Sequence, residues 1–489
     1  MNLNNHNCLS PEIIKYIIEK IPISWFNPIF NTHNIVDRSK FIVNFKKIIN
    51  KKKQDISIFD LQLLGIVQDF SIIPSNLSTI LEYLYSCKIK KNFNFILSFA
   101  SKYSVIFSIL LVSKQPIIIY VNPLYALYND VYGLLNFENL FKLLGFNVRV
   151  IISLPRKINN NLDVLIIFIT ENLESYIYNY KEIDIYIEIL YTHYIKNIKY
   201  STNYSVVFFN NDKIDKNKIE NIRNLISVPT TNQICLDYLY KYINLNKFTI
   251  NNDLNIVSNS DLNKFYKSIY NKFGLEYNNN YKPIICNSKG SALCCIWLFL
   301  IMNGGTDLCI CSNSNDKTDK LSKLFQKKLN NFNKITFNVY GKTDITESVI
   351  DLLTNIENNK FPITTILIEI FKETKIEYKN VKKIIDTIKK YNKKTNKKTI
   401  LLIDNNFLES TNILKMINEI DNNINAILLT SLCKKNSMNL TDAELILPNN
   451  NNLFNYLLKN SSYCIDKISE LLDNSSRYEQ IKISMNDYY

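Results

Sequence analysis

Three short segments of the sequence carry residue types that could do chemistry together. Lys289-Gly290-Ser291-Ala292 places a small glycine turn before an apolar helical run. Backbone N–H groups and the positive dipole end at such a helix start suit an anion such as phosphate. An ordinary strand-to-helix turn would look the same. Leu401-Leu402-Ile403-Asp404-Asn405-Asn406 ends an apolar strand pattern in a carboxylate. A buried carboxylate is costly without a partner, and a protonated ring nitrogen would serve as one. A cap on the next helix or turn is the competing role for Asp404. Thr430-Ser431-Leu432-Cys433-Lys434 follows a third apolar run. A lysine at a strand end inside a pocket is partly desolvated, which frees its amine for Schiff-base chemistry. In a lysine-rich chain the competing reading is a solvated surface lysine.

These segments need elements to hold them, and the sequence supplies a βα rhythm. In the second half, strands are expected at 283–286, 308–311, 334–339, 363–370, 399–403 and 426–429. Helices are expected at 260–272, after Gly290 through Ile301, and at 319–329, 346–355, 378–391 and 410–420. Strands alternating with helices of this length predict an α/β fold, with a mainly parallel sheet and helices on both faces. In the first half, residues 1–100 read as mostly helical, with Ser10 and Pro11 opening a helix that runs to Ile21. Strands follow at 117–121, 148–153, 164–170 and 205–209, apolar throughout as suits strands covered on both faces. An Asn-, Asp- and Lys-rich stretch at 212–260, with helical pieces, reads as a connector. The expected division is an N-terminal α/β extension over 1–245 and a larger α/β domain over 246–489.

On that sheet the three segments fall on successive strand ends, where ligands of open α/β sheets sit. Their order is phosphate turn, then Asp, then Lys. Pyridoxal phosphate needs that set: an anion site at a helix N-terminus, an Asp holding the pyridine nitrogen protonated, and a Lys for the aldehyde.

Composition narrows the alternatives. Apolar residues make up 46% of the chain and charged residues 21%, which excludes a fully disordered chain. Ten cysteines in 489 residues exclude a disulfide scaffold. The net charge of +14 invites a nucleic-acid reading. Yet only Arg38, Arg149, Arg156, Arg223 and Arg477 are arginine, the lysine runs are short, and no basic stripe is interleaved with aromatics. No specific nucleic-acid partner is expected. The first ten residues are polar, and the apolar stretches Val105 to Val121 and Ala292 to Met302 fall short of the roughly 20 residues that span a bilayer. A cytoplasmic protein with no membrane partner is expected. Cys309 and Cys311 lack further ligands at metal-site spacing, so no metal is expected.

Residues from about 260 to 489 resemble the cystathionine γ-synthase-like branch of the cysteine/methionine-metabolism pyridoxal phosphate enzymes, in its divergent fungal form. Lys289-Gly290-Ser291-Ala292 stands where that family has Ser-Gly-Met-Ala. Leu402-Ile403-Asp404-Asn405 is similar to its Val-Asp-Asn-Thr segment, and Ser431-Leu432-Cys433-Lys434 to its Ser-x-Thr-Lys. Ile368-Glu369 matches the strand before the family's Asn-Pro, and Asp473-Asn474-Ser475-Ser476-Arg477 resembles its Asn-Ser-Arg-Asp region. The resemblance implies the large domain of a fold-type-I pyridoxal phosphate transferase. It implies Lys434 as the catalytic lysine, with Gly290, Ser291, Asp404, Ser431 and Cys433 holding pyridoxal 5'-phosphate. It also implies small-molecule amino-acid substrates, a homo-oligomer, and γ-replacement on an activated homoserine ester by cysteine.

The departures from the family pattern are specific. Lys289 replaces the turn's Ser, Lys317 falls near the place of the ring-stacking Tyr, and Glu373-Thr374 stands for Asn-Pro. Cys433 replaces a Thr, and Asn436-Ser437-Met438-Asn439 stands where a glycine follows the lysine. The C-terminal small domain of the relatives is expected to be missing. These departures keep a second reading open, a catalytically degenerate homologue acting as a binding or regulatory module.

Overall fold

The computed structural model describes residues 77–91, 95–124, 131–155, 163–191 except 181, 203–226, 259–277, 284–302 except 287 and 288, 306–311, 316–337 except 331, 365–370, 378–405 except 397, 412–431 and 444–449, with isolated positions elsewhere. The helices expected at 10–21 and 346–355 fall wholly or largely outside them. The chain gathers into two compact units, one chiefly Met1–Asp253, the other chiefly Leu254–Ser437 with Asp442–Ser469.

The first unit holds a six-stranded sheet of β1 (Ile96–Phe99), β2 (Ile117–Val121), β3 (Val148–Ile152), β4 (Leu165–Thr170), β5 (Ile185–Tyr191) and β6 (Asn203–Phe209). Their order across the sheet is β1-β6-β5-β4-β2-β3. β3, β2, β4 and β5 run parallel, while β6 is antiparallel to both β5 and β1. β4 is buried at every position, as its unbroken Leu-Ile-Ile-Phe-Ile-Thr run requires.

Helices α1 (Leu77–Lys88), α2 (Lys102–Val112), α3 (Val131–Leu143) and α4 (Lys216–Ile226) belong to this unit. α2 opens with a capping box between Ser101 and Ser104. α4 buries Ile219, Ile222, Arg223 and Ile226, one stripe at helical spacing. The Arg223 guanidinium donates to Glu82 Oε1 at 2.6 Å and to the Ser98 carbonyl at 2.8 Å. Ser98 donates its N–H to the same Glu82 oxygen at 2.8 Å. This buried pair ties α4, α1 and β1 together. The stretch over 212–260, read as a connector with helical pieces, does begin with a helix, α4, whose apolar stripe is buried within the first unit.

The second unit holds β7 (Ile284–Cys286), β8 (Thr306–Cys311), β9 (Phe332–Phe337), β10 (Thr365–Ile370), β11 (Ile400–Asn405), β12 (Asn425–Ser431) and β13 (Glu444–Pro448). The order is β7-β13-β12-β11-β10-β8-β9. β8 to β12 are mutually parallel, and β13 alone is antiparallel to its neighbours β12 and β7. β7 therefore points the same way as β12. The helices are α5 (Asn259–Lys272), α6 (Lys289–Met302), α7 (Asp316–Lys328), α8 (Tyr378–Thr395) and α9 (Ile413–Asp421).

Strand alternation sorts the two faces. Ile366, Leu401, Ile403, Ala426, Leu428, Leu445 and Leu447 pack with α5, α8 and α9. The intervening residues of the strands face the other side, where α6 lies against β7, β8, β12 and β13. There Trp297 of α6 meets Phe325 of α7 and Phe332 of β9, each at 5.5 Å between ring centroids. This is the expected α/β architecture, a mainly parallel sheet covered on both faces. Among the described residues no helix is long and apolar enough to cross a membrane.

The turn that closes α5 holds Gly274, whose φ of +68° is the left-handed cap that glycine tolerates. The Leu275 N–H closes the turn onto the Tyr270 carbonyl at 2.9 Å. A Cβ at 274 would lie 3.0 Å from Lys415 Cδ and 3.2 Å from Asn412 Oδ1. Gly274→Ala is therefore expected to cost about 1–2 kcal/mol from the backbone conformation alone. Urea denaturation checks this, and an unchanged midpoint would contradict it.

Candidate functional site

Because β7, β10, β11 and β12 run the same way, their carboxyl ends share one edge of the sheet. The register makes this concrete. Ser431, the last residue of β12, pairs with Glu444, and Glu444 pairs with Cys286, the last residue of β7. On the next strand Asp404 and Asn405 stand opposite Leu429 and Thr430. α6 starts three residues beyond β7, so its head lies at that same edge. The N–H groups of its first turn have no partner within the helix.

Asp404 is fully buried, at 0% exposure. It lies inside β11, and the next helix among the described residues, α9, begins nine residues later behind Asn412. The competing role of a cap for that helix is thereby excluded. Alternation puts Asp404 on the α6 face, opposite to Leu401 and Ile403. There its Oδ2 forms an ion pair with Nζ of Lys289, the first residue of α6, whose side chain is 14% exposed. This contact brings the glycine turn and the strand-end carboxylate into one place. Gly290 and Ser291 follow directly in the helix, both buried. Asn405 donates from Nδ2 to Thr430 Oγ1 at 3.4 Å, joining the ends of β11 and β12. Glu444 is also buried, at 4% exposure, on the same edge.

Of the site residues expected from sequence, Gly290, Ser291 and Asp404 converge, and Ser431 takes its place at the end of β12. Cys433 and Lys434 lie outside the described residues. Two residues escaped sequence reasoning. Lys289 reads in the sequence as part of the glycine turn and as a departure from the family's Ser, not as a partner of Asp404, since nothing in its spacing links it to a residue 115 positions away (404 minus 289). Glu444 sits in β13, a strand the sequence reading did not contain. A separate groove of about 550 Å³, lined by Tyr270, Lys415, Asn418, Pro448 and Asn449, opens at the opposite edge of the sheet. Pro448 pairs there with Ile427, near the start of β12.

No family model matches the chain, and no curated protein matches it either. Solved structures do resemble it. Its structural neighbours include aminotransferases, one of them pyridoxal-phosphate-bound. The histidinol-phosphate aminotransferase from Clostridium acetobutylicum is 13% identical over 48% of this chain and 65% of that one, with a TM-score of 0.30. An aminotransferase from Anaerococcus prevotii is 15% identical over 47% and 59%, TM-score 0.32. A PLP-bound putative aminotransferase from Clostridium difficile is 12% identical over 46% and 58%, TM-score 0.28. The chain thus spans less than two thirds of the length of each. Values this low say nothing about activity, which has to be argued from the residues themselves.

Proposed function

We propose that the second unit binds pyridoxal 5'-phosphate and acts on amino-acid substrates, with γ-replacement on an activated homoserine ester by cysteine as its reaction. The observation that carries this is the meeting of Asp404 with the head of α6. The donor set suits the cofactor. A helix N-terminus can hold its phosphate and a fully buried carboxylate can hold its ring nitrogen charged. When bound, the group supplies an electron sink for the bonds that break and form on the substrate.

The chain's own residues do the rest. The N–H groups at Gly290 and Ser291 would bind the anion, and the family resemblance assigns Ser431 and Cys433 to the same task. Asp404 keeps a proton on the ring nitrogen, because its charge has no water to screen it. Lys434, carried over from the family's Ser-x-Thr-Lys, would hold the cofactor at its aldehyde and move protons at the substrate carbons. The same resemblance supports a homo-oligomer. The first unit has no assigned role in this chemistry.

The test is spectroscopic. Purified protein given pyridoxal phosphate is expected to develop a visible absorbance that borohydride abolishes. In Lys434→Ala that borohydride-sensitive band should be absent. A wild type without the band, or a band that survives Lys434→Ala, would overturn the reading.

A further inference from the structure

We propose that Lys289 is a resident counter-ion for Asp404, which the cofactor's ring nitrogen must displace in order to bind. This rests on the reading of the site just given. Asp404 is fully buried, so its charge needs a cation at all times. In the structure the Lys289 ammonium provides it. A protonated ring nitrogen is the same kind of partner, a compact N–H cation aimed at a carboxylate oxygen. The two compete for one carboxylate.

The geometry also shows how Lys289 can yield. Its backbone is fixed as the first residue of α6, but its side chain is a flexible four-carbon stem and is 14% exposed. It can swing its charge outward while Gly290 and Ser291 stay in place for the anion. Pyridoxal phosphate binding then costs one internal ion pair that a serine at 289 would not impose. Lys289 thus sets the affinity of the site and its discrimination between ligands with and without a basic ring nitrogen.

The test compares two probes by titration calorimetry on full-length protein. One is pyridoxal phosphate; the other is its benzene analogue, identical but lacking the ring nitrogen. Lys289→Gln is expected to bind pyridoxal phosphate roughly a hundredfold more tightly than wild type, within the 5–150-fold span typical of coupled equilibria. The analogue's affinity should be the same in both proteins. Lys289→Arg, which keeps the charge, should bind pyridoxal phosphate no better than wild type. Pyridoxal phosphate should also raise the melting temperature of Lys289→Gln more than that of wild type.

Equal or weaker pyridoxal phosphate binding by Lys289→Gln would overturn the counter-ion role while leaving the proposed function standing. An equal gain for both probes would also overturn it, by showing that Lys289 acts on space rather than on charge. Failure of every variant to bind either probe would defeat both.

Discussion

Lys289→Met is expected to lower the stability of the second unit by about 3–5 kcal/mol when no cofactor is present, the usual cost of stranding one member of a buried ion pair. Asp404→Asn introduced into the same chain is expected to restore most of that loss. The asymmetry of the pair decides which single change is worse. Asp404 is completely enclosed on a short stem within β11, so its carboxylate cannot reach water. Lys289 retains 14% exposure and a long stem, so Asp404→Asn alone lets its amine turn outward. Asp404→Asn should therefore cost less than Lys289→Met. The measurement is urea unfolding followed by tryptophan fluorescence. Trp297 sits in α6 and is fully buried, and a Trp25→Phe background makes it the sole reporter, since the chain has two tryptophans. Single-variant losses that simply add in the double variant would show that the two side chains do not interact.

The same ion pair marks the limit of what the sequence could disclose. The βα rhythm of the second half was legible because its strands are apolar runs and its helices carry apolar stripes. Val381, Ile384, Ile385, Ile388 and Tyr391 make the stripe of α8 plain, and the helix was expected within a few residues of its observed end. Asp404 stood out for a related reason, as a charge closing an otherwise apolar strand. β13 was illegible because Glu-Leu-Ile-Leu-Pro is five residues long and ends in proline. It is nonetheless the strand that joins β7 to β12, and without it the sheet order that aligns α6 with β11 could not be deduced. In the first unit β5 was missed because Tyr186 and Glu188 interrupt its apolar character, although both are buried. Pairing between α6 and β11, or between Arg223 and Glu82, depends on chain folding over more than a hundred residues. No local spacing encodes that. Charge balance offered only the weak hint that a buried acid requires a base somewhere.

Glu188 gives the second large expectation, and it concerns pH. Its carboxyl lies within β5 at 3% exposure, and burial pushes its pKa from 4.5 up to about 8. A hydrogen bond from the Leu173 backbone N–H opposes the rise without cancelling it. Oε2 has no hydrogen-bond partner. The folded chain thus holds this proton more tightly than the unfolded chain does. Its contribution to stability is full below the unfolded value near 4.5 and is lost as pH rises toward about 8. At about 1.4 kcal/mol for each pKa step, the loss across that window is of order 5 kcal/mol. Glu188→Gln removes the titration and keeps an acceptor for Leu173. Relative to wild type, the variant should gain stability steadily between pH 5 and pH 8, by roughly 3–4 kcal/mol in all. It should gain nothing more above that range. Urea unfolding at half-unit steps of pH would draw this difference curve directly, with other titrations cancelling between the two proteins. A flat difference would mean that Glu188 stays ionised in the fold, and that its carboxylate has found a cation or water.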